Sequence, residues 1–220
     1  MRAGIVESGK IVIREVADPV MREGEVVIEV YATALNRADL LQKKGTYPSP
    51  QGWPEWPGLE VAGVIEKMSE SAKKESDFRV GDRVCALVGG GGYAEKIAVP
   101  VGLLMPIPQN LDFIEGASLP EAYATSYLNL FYEGKLQSGQ VLYVSAGASG
   151  LASSAIPMGK AMGATVVTSV QTEKQAKAIE NLGADYIIIQ EKESIPEVFE
   201  RLEKEGRAVS VCMDCLGGED

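Results

Sequence analysis

A two-part α/β fold is predicted by three observations: a change of pattern near residue 112, strand–helix alternation beyond it, and one glycine turn. Before that point, short β-branched segments alternate with Gly, Pro and charged turns, as in a β-rich domain. After it, strands and helices succeed one another at the spacing of a doubly wound parallel sheet, covered on both faces. The turn lies in "VLYVSAGASGLASSAIPMGKAMGATVVTSV", residues 141–170, where a strand runs into glycines, a helix and a second strand. The two domains are expected at residues 1–120 and 121–220.

The first strands are "IVIREV", "EVVIEVYATAL", "LEVAGVIEKM", "DRVCALV" and "YAEKIAVP". "MSESAKKESDFRVGD" is polar without an apolar period, which predicts an exposed loop closing on a turn at Gly81-Asp82. "TYPSPQGWPEWPG" is dense in Pro and aromatics, and suits a stiff surface loop or the wall of a binding cleft. "VGGGGY" (88–93) lacks the G-K-[ST] of a phosphate loop and leads into a strand, so a tight turn is its expected role. "DFIEGASLPEAYATSYLNLFYEG" has a helical period with a break at Pro120. Strand 141–146, helix 150–162, strand 165–170 and helix 172–182 follow, then strand 186–189, helix 194–205 and strand 208–213. A complete dinucleotide domain of this kind uses six strands. The fourth and last here, "AVSVCMD", would be an exposed apolar edge. The domain is therefore expected to be truncated at the C-terminus, or its edge to be covered by a partner.

Bulk composition narrows the function. The 220 residues carry a net charge of -10, with 45% hydrophobic and 24% charged residues, ordinary for a globular chain. Such a negative field disfavours nucleic acid and anionic membrane surfaces as partners. Residues 141–159 are uncharged, but their serines, glycines and Pro157 fit strand and helix better than a membrane span. "MRAGIVESGK" has no apolar secretory stretch and three cysteines suit a reducing compartment, so a cytoplasmic location is expected. Cys212 and Cys215 match C-x-x-C but sit in a β-branched run, which predicts buried strand cysteines rather than a redox pair. The chain has no histidine, which removes Ser-His-Asp hydrolysis and H-E-x-x-H zinc sites. "GASGL" also fails as a nucleophile elbow, because Leu151 stands where that motif needs glycine.

In a dinucleotide turn the first glycine makes the bend, the second clears space for a pyrophosphate, and the third lets helix and strand pack closely. Gly147 holds the first position. Ser149 replaces the second and is small, with Gly150 beside it; Leu151 follows, and Ala152 takes the third with one added methyl. The helix N-terminus would still present free N–H groups to a phosphate. Pro157 lies beyond the first helical turn and cannot bond the Ser153 carbonyl, a loss of about 3 kcal/mol in an ordinary helix. A kink near Ser153 is predicted, with the phosphate-facing turn intact. NAD-specific folds end the second strand with a carboxylate. Here that place offers Ser169, Val170, Gln171 and Thr172, which removes repulsion against a 2′-phosphate.

Several motifs then fall in a telling order. They are "ALNRADLLQKKGTYP" (34–48), "PGLEVAGVI" (57–65), "VGDRVCAL" (80–87) and "GGGYAEKIAVP" (90–100). "GASLPEAYATSY" (116–127), the turn at 147–152, "LGADYII" (182–188) and "MDCLGG" (213–218) complete the set. Together they resemble the zinc-free quinone oxidoreductases of the medium-chain dehydrogenase/reductase superfamily. Within that zeta-crystallin-like group, the chain is most similar to the tumour-suppressor-inducible quinone oxidoreductase subgroup.

The resemblance implies a GroES-like catalytic domain followed by a Rossmann domain, with a cofactor cleft between them. It implies hydride transfer from NADPH to a quinone or similar conjugated carbonyl, the cofactor carrying the chemistry. On matching positions, Asn36 and Tyr47 would line the cleft and bond the acceptor oxygen, and Tyr123 and Thr125 would lie near the nicotinamide. Lys174 would pair with the 2′-phosphate; a surface helix lysine is the alternative. Val170-Gln171 stands where the family has Gly-Ser, and Gln190 where it often has Tyr. The zinc-dependent branch has a ligating His where this chain has Leu59, so no zinc is expected, and Glu60 is expected to hold loop backbone. Asp39 is expected to cap the helix after it. For a complete chain the resemblance implies a homodimer acting on a small molecule. Two other functions fit the same residues: an NADP-dependent reductase of α,β-unsaturated carbonyls, and a truncated, non-catalytic chain that binds nucleotide or a partner.

Overall fold

The computed structural model describes residues 1–217, and the chain forms two compact units, Met1–Glu121 and Ala122–Asp220. The first opens with a hairpin of β1 (Arg2–Glu7) and β2 (Lys10–Glu15), paired from Arg2↔Glu15 to Glu7↔Lys10. Ser8 and Gly9 both take positive φ, 48° and 71°, the turn geometry whose twist matches paired strands. β1 lies outside the strands expected from the sequence. Its signal was there, a Ser-Gly dipeptide after a short apolar run.

Five strands then build an antiparallel sheet: β3 (Glu25–Ala32), β4 (Glu60–Met68), β5 (Arg83–Leu87), β6 (Lys96–Pro100) and β7 (Leu104–Pro106). Their order is β6-β3-β4-β5-β7. One face buries Val26, Ile28, Val61, Ile65, Val84 and Val99 in a single core. Between β3 and β4, α1 (Arg37–Lys43) begins at Asn36, which is extended (φ -118°, ψ 153°) and forms the N-cap. Asp39 caps from inside the first turn: its Oδ2 accepts the Asn36 N–H at 2.7 Å. The polar stretch after β4 is not all loop, because α2 (Glu70–Glu75) lies within it. Ser69 Oγ accepts the Ala72 N–H at 3.2 Å and Ala72 is buried. One apolar anchor leaves no period to read.

The glycine run 89–92 is shaped by close approach to the loop before β4. Trp56 Nε1–H donates to the Gly91 carbonyl at 3.2 Å, and a Cβ on Gly91 would lie 2.7 Å from Pro54. Gly58 has φ +107°, and a Cβ there would lie 2.5 Å from the Tyr93 nitrogen. The unit ends with α3 (Phe113–Ala117), whose Phe113 ring stacks on Tyr31 with centroids 4.6 Å apart.

Helical winding continues past Pro120, but it changes character. Wide π turns span Leu119–Tyr123 and Leu128–Glu133, on either side of α4 (Ala124–Tyr127). The second unit's sheet is parallel, from β8 (Val141–Val144), β9 (Thr165–Val170), β10 (Tyr186–Ile189) and β11 (Val209–Met213). The order β10-β9-β8-β11 is the first four places of a doubly wound sheet. Connecting them are α5 (Gly150–Ala161), α6 (Glu173–Ile179) and α7 (Ile195–Lys204). Leu142 and Val144 face a core with Ala155, Ile156 and Val166; Val141 and Tyr143 face another with Ile188, Val198 and Leu202. β8 is buried on both sides, as the centre of such a sheet must be.

One expectation needs correction. Cys212 and Cys215 are exposed, because β11 is an edge strand among the described residues and Cys215 lies past its end. α5 runs as one helix with Pro157 inside it. Ser153, whose carbonyl loses the proline's bond, is exposed, and water can take that oxygen. Gly218 of the "MDCLGG" motif lies outside the described residues.

Gly58→Ala combines a left-handed φ with a backbone clash, and should destabilise the protein by about 3 kcal/mol or more. Chemical denaturation checks this, and a loss under 1 kcal/mol, roughly the ordinary surface effect, would contradict the close approach of the two loops.

Candidate functional site

In the first unit, functional side chains converge on one buried carboxylate. Glu60 opens β4 and is 2% exposed. Its Oε1 accepts from Asn36 Nδ2 at 2.7 Å, and its Oε2 accepts the Glu121 backbone N–H at 2.8 Å. Its backbone carbonyl takes the Thr33 hydroxyl at 2.7 Å. Beside it, Asp39 Oδ2 accepts from the Tyr93 hydroxyl at 2.7 Å, while Asp39 Oδ1 is buried without a partner. Burial raises the Glu60 carboxyl above its ordinary value, against the opposing pull of its two N–H donors. Burial raises Glu121 as well, helped by Asp39, and the Tyr93 hydroxyl is pushed far up by burial and by Asp39. Glu60 thus favours the fold more as a protonated carboxyl than as a carboxylate. That contribution is complete below the unfolded carboxylate range and fades as pH rises through the raised value.

Asn36 therefore stands within a connected polar cluster. Tyr47, on the loop after α1, is exposed and makes no side-chain hydrogen bond among the described residues. Leu59, next to Glu60, is buried and offers no metal-binding atom. The sequence signal for this cluster was partial: Asn36, Asp39 and Glu60 were each singled out, but Tyr93 and Glu121 lie far from them in the chain.

The second unit carries the glycine turn. Gly147 donates its N–H to the Ser169 carbonyl at 2.8 Å, and a Cβ on it would collide with Thr168 Oγ1 and Ile179. Only glycine fits there. Ala146 just before it takes φ +48°. Ser149 is the N-cap of α5, its Oγ accepting the Ala152 N–H at 3.1 Å. Ala152 is fully buried and packs in the core with the half-buried Leu151, so both support the turn rather than face outward. Gly150 has open space around its Cβ position. Ser169 bonds the buried Tyr143 hydroxyl at 2.7 Å.

A cavity of about 270 Å³ opens at this turn, lined by Ala146, Ala148, Ser149, Ser169, Val170, Gln171, Gln175, Gln190 and Leu216. Among the described residues its lining has no carboxylate and no cationic side chain. Gln175 Oε1 is held by the N–H groups of Gln171 (2.9 Å) and Thr172 (3.2 Å), which leaves its Nε2 as the free end. Lys174 is exposed on α6 and lies outside the lining. Tyr123 is exposed, and Thr125 is half-buried on α4 with its carbonyl taken by Asn129 Nδ2 at 2.8 Å. Gln175 and Leu216 join the lining beyond the residues the sequence pattern indicates. Gln175 was findable, since Thr172-x-x-Gln175 is a capping box; Leu216 comes from the far end of the chain.

An antiparallel unit followed by a parallel dinucleotide-type sheet defines the medium-chain dehydrogenase/reductase class. The family described as Alcohol dehydrogenase GroES-like domain matches residues 22–109. The "Quinone oxidoreductase-like protein 2 homolog" of Nematostella vectensis is 31% identical over 197 residues, 89% of this chain and 53% of that protein. The quinone oxidoreductase of Thermus thermophilus, solved also with NADPH, has a TM-score of 0.80 and 31% identity over 100% of this chain and 68% of that one. The human synaptic vesicle membrane protein VAT-1 homolog-like protein has a TM-score of 0.86 and 27% identity, covering 98% of this chain and 68% of that one. The chain belongs to the zinc-free quinone oxidoreductase group of that superfamily, and spans about half the length of the curated relatives it matches. No helix among the described residues is long and apolar enough to cross a membrane.

Burial pushes the Cys85 thiol up to about 11, with the Glu60 charge adding to it. A thiol reagent at about pH 8 should therefore label Cys212 and Cys215 in the folded chain, and Cys85 only after denaturation. Modification of Cys85 in the native protein would contradict the closed setting around Glu60.

Proposed function

We propose that the protein is an NADPH-dependent reductase that passes hydride to a quinone, without zinc. The observation that carries this reading is the capped turn at Gly147–Ala152, opening on a cavity lined by no carboxylate among the described residues. A helix N-terminus with free N–H groups favours a phosphate, and the turn's backbone is held clear by Gly147 against Thr168 and Ile179. Gln175 Nε2 and Ser169 supply neutral polar groups there, and Lys174 on the same helix as Gln175 supplies the charge for a 2′-phosphate. The names of the relatives, a quinone oxidoreductase among them solved with NADPH, support the same reading.

When bound, the nicotinamide supplies the hydride. The chain's own residues orient and stabilise. Asn36 donates an N–H toward an acceptor oxygen, where negative charge grows as hydride arrives. Tyr47 adds a hydroxyl and an aromatic face to the acceptor's side, and Tyr123 with Thr125 would flank the nicotinamide. The acceptor class is a flat conjugated carbonyl. Hydrogen-bond donors, rather than a metal, would polarise it toward the hydride.

Calorimetric titration should show NADPH binding more tightly than NADH. Lys174→Ala should lose roughly tenfold in NADPH affinity, one charge-assisted contact, with NADH unchanged. Equal affinities in the parent chain would remove the 2′-phosphate assignment. NADPH oxidation with a para-quinone, an ortho-quinone and an enal tests the activity. Turnover of the quinones is expected, turnover of the enal alone would indicate a reductase of α,β-unsaturated carbonyls, and tight binding without turnover would indicate a nucleotide-binding module.

A further inference from the structure

We propose that Glu60 is a positioning residue: its carboxylate locks the Asn36 amide so that an N–H, never the carbonyl, is presented to the acceptor oxygen. This rests on the reductase reading, in which Asn36 meets that oxygen. An ionised carboxylate only accepts hydrogen bonds, and a side-chain amide has two N–H donors and one acceptor oxygen. With Glu60 Oε1 2.7 Å from Asn36 Nδ2, turning the amide over would set two acceptors against each other. One N–H is spent on the lock. The second makes no hydrogen bond among the described residues and keeps a set direction.

The lock is itself anchored. Glu60 Oε2 is tied to the Glu121 N–H at 2.8 Å and its carbonyl to Thr33 at 2.7 Å, so the carboxylate cannot swing away from Asn36. From the other end, the Asn36 backbone N–H is held by Asp39 Oδ2 at 2.7 Å, which is braced by Tyr93. The amide is fixed at both its root and its tip. A carboxylate buried without a cationic partner is costly, and an apolar residue of like volume would serve packing alone at least as well. What the apolar residue could not do is dictate which end of an amide points outward.

Protonation reverses the lock. A neutral carboxyl would give its proton to Asn36 Oδ1, and the amide would turn. The groups facing Glu60 are Asp39 from α1 and Glu121, both carboxyls that raise it, together with Cys85 on β5 and Tyr93. Cys85 and Tyr93 are themselves raised and stay neutral through the acidic and neutral range. The productive orientation therefore belongs to the higher-pH form.

Two measurements on the 220-residue chain decide it. In nitrogen–proton NMR spectra, the Asn36 side-chain amide should titrate with a carboxyl above the ordinary range in the parent protein, and lose that titration in Glu60→Gln. An Asn36 amide indifferent both to pH and to the substitution overturns the proposal, and the parent titration alone decides if Glu60→Gln does not fold. In kinetics, Glu60→Gln should lower kcat on the order of 10²-fold, leave KM for NADPH unchanged and abolish the acid limb of the kcat profile. Added to Asn36→Ala, it should cost nothing further; a full additional loss would make Glu60 independent of Asn36 and overturn the role. A parent chain that turns over no quinone refutes the reductase reading, whereas the amide spectra still report on the lock.

Discussion

One buried carboxylate holds the first unit to its shape. Glu60 enters the interior with no cation beside it, and the effective desolvation penalty for such an ion is several kcal/mol. Two N–H groups answer it, one from Asn36 and one from Glu121. They come from the connection after β3 and from the segment after α3, so a single side chain sets where three stretches of backbone meet. The entry of α1, the first residue of β4 and the end of the unit at Glu121 are all referenced to it. Asp39 and Tyr93 form the outer ring of the same cluster, and Cys85 lies near enough to feel its charge.

The second unit depends on a different economy of space. Gly147 brings the end of β8 against Thr168 of β9 and Ile179 of α6 with no room for a methyl, and Gly159 does the same for α5 against Leu142 and Val166. Small residues let helix and sheet close to their packing distance, and Ser149 finishes the helix start with its own hydroxyl. The result is a turn whose outward surface is backbone and short polar side chains. Among the described residues the cavity wall holds no charged group, and the helix end supplies the electrostatic character.

How much of this could be read from residues alone follows from where each signal resides. The parallel half was legible almost to the residue: strand 165–170 and strand 186–189 fall where the β-branched runs predict, because a strand buried on both faces is a continuous apolar run. The antiparallel half lost β1, β7 and α2. β7 has three residues, too few for a pattern, and α2 buries a single alanine. The exposure of the β11 cysteines was not legible, because a β-branched run reports strand, not which face or edge a neighbour covers. In the site, Asn36, Asp39 and Glu60 each carried a local hint, but the hydrogen bonds tying them to Tyr93 and Glu121 span 54 and 61 residues. No spacing rule reaches that far.

The π-wound stretches around α4 have a consequence for how the chain tolerates change in length. A π turn closes on the fifth residue instead of the fourth and so stores surplus backbone. Removing one residue within Leu128–Glu133 can be absorbed by rewinding that stretch as α-helix, which leaves Leu136 and the start of β8 in register. Removing one residue from α5 has no such reserve. It would rotate Ala152, Ala155 and Ile156 out of the core by about 100°, the angular step of an α-helix. The helical segment before the sheet is thus a length buffer, and α5 after β8 is a fixed gauge.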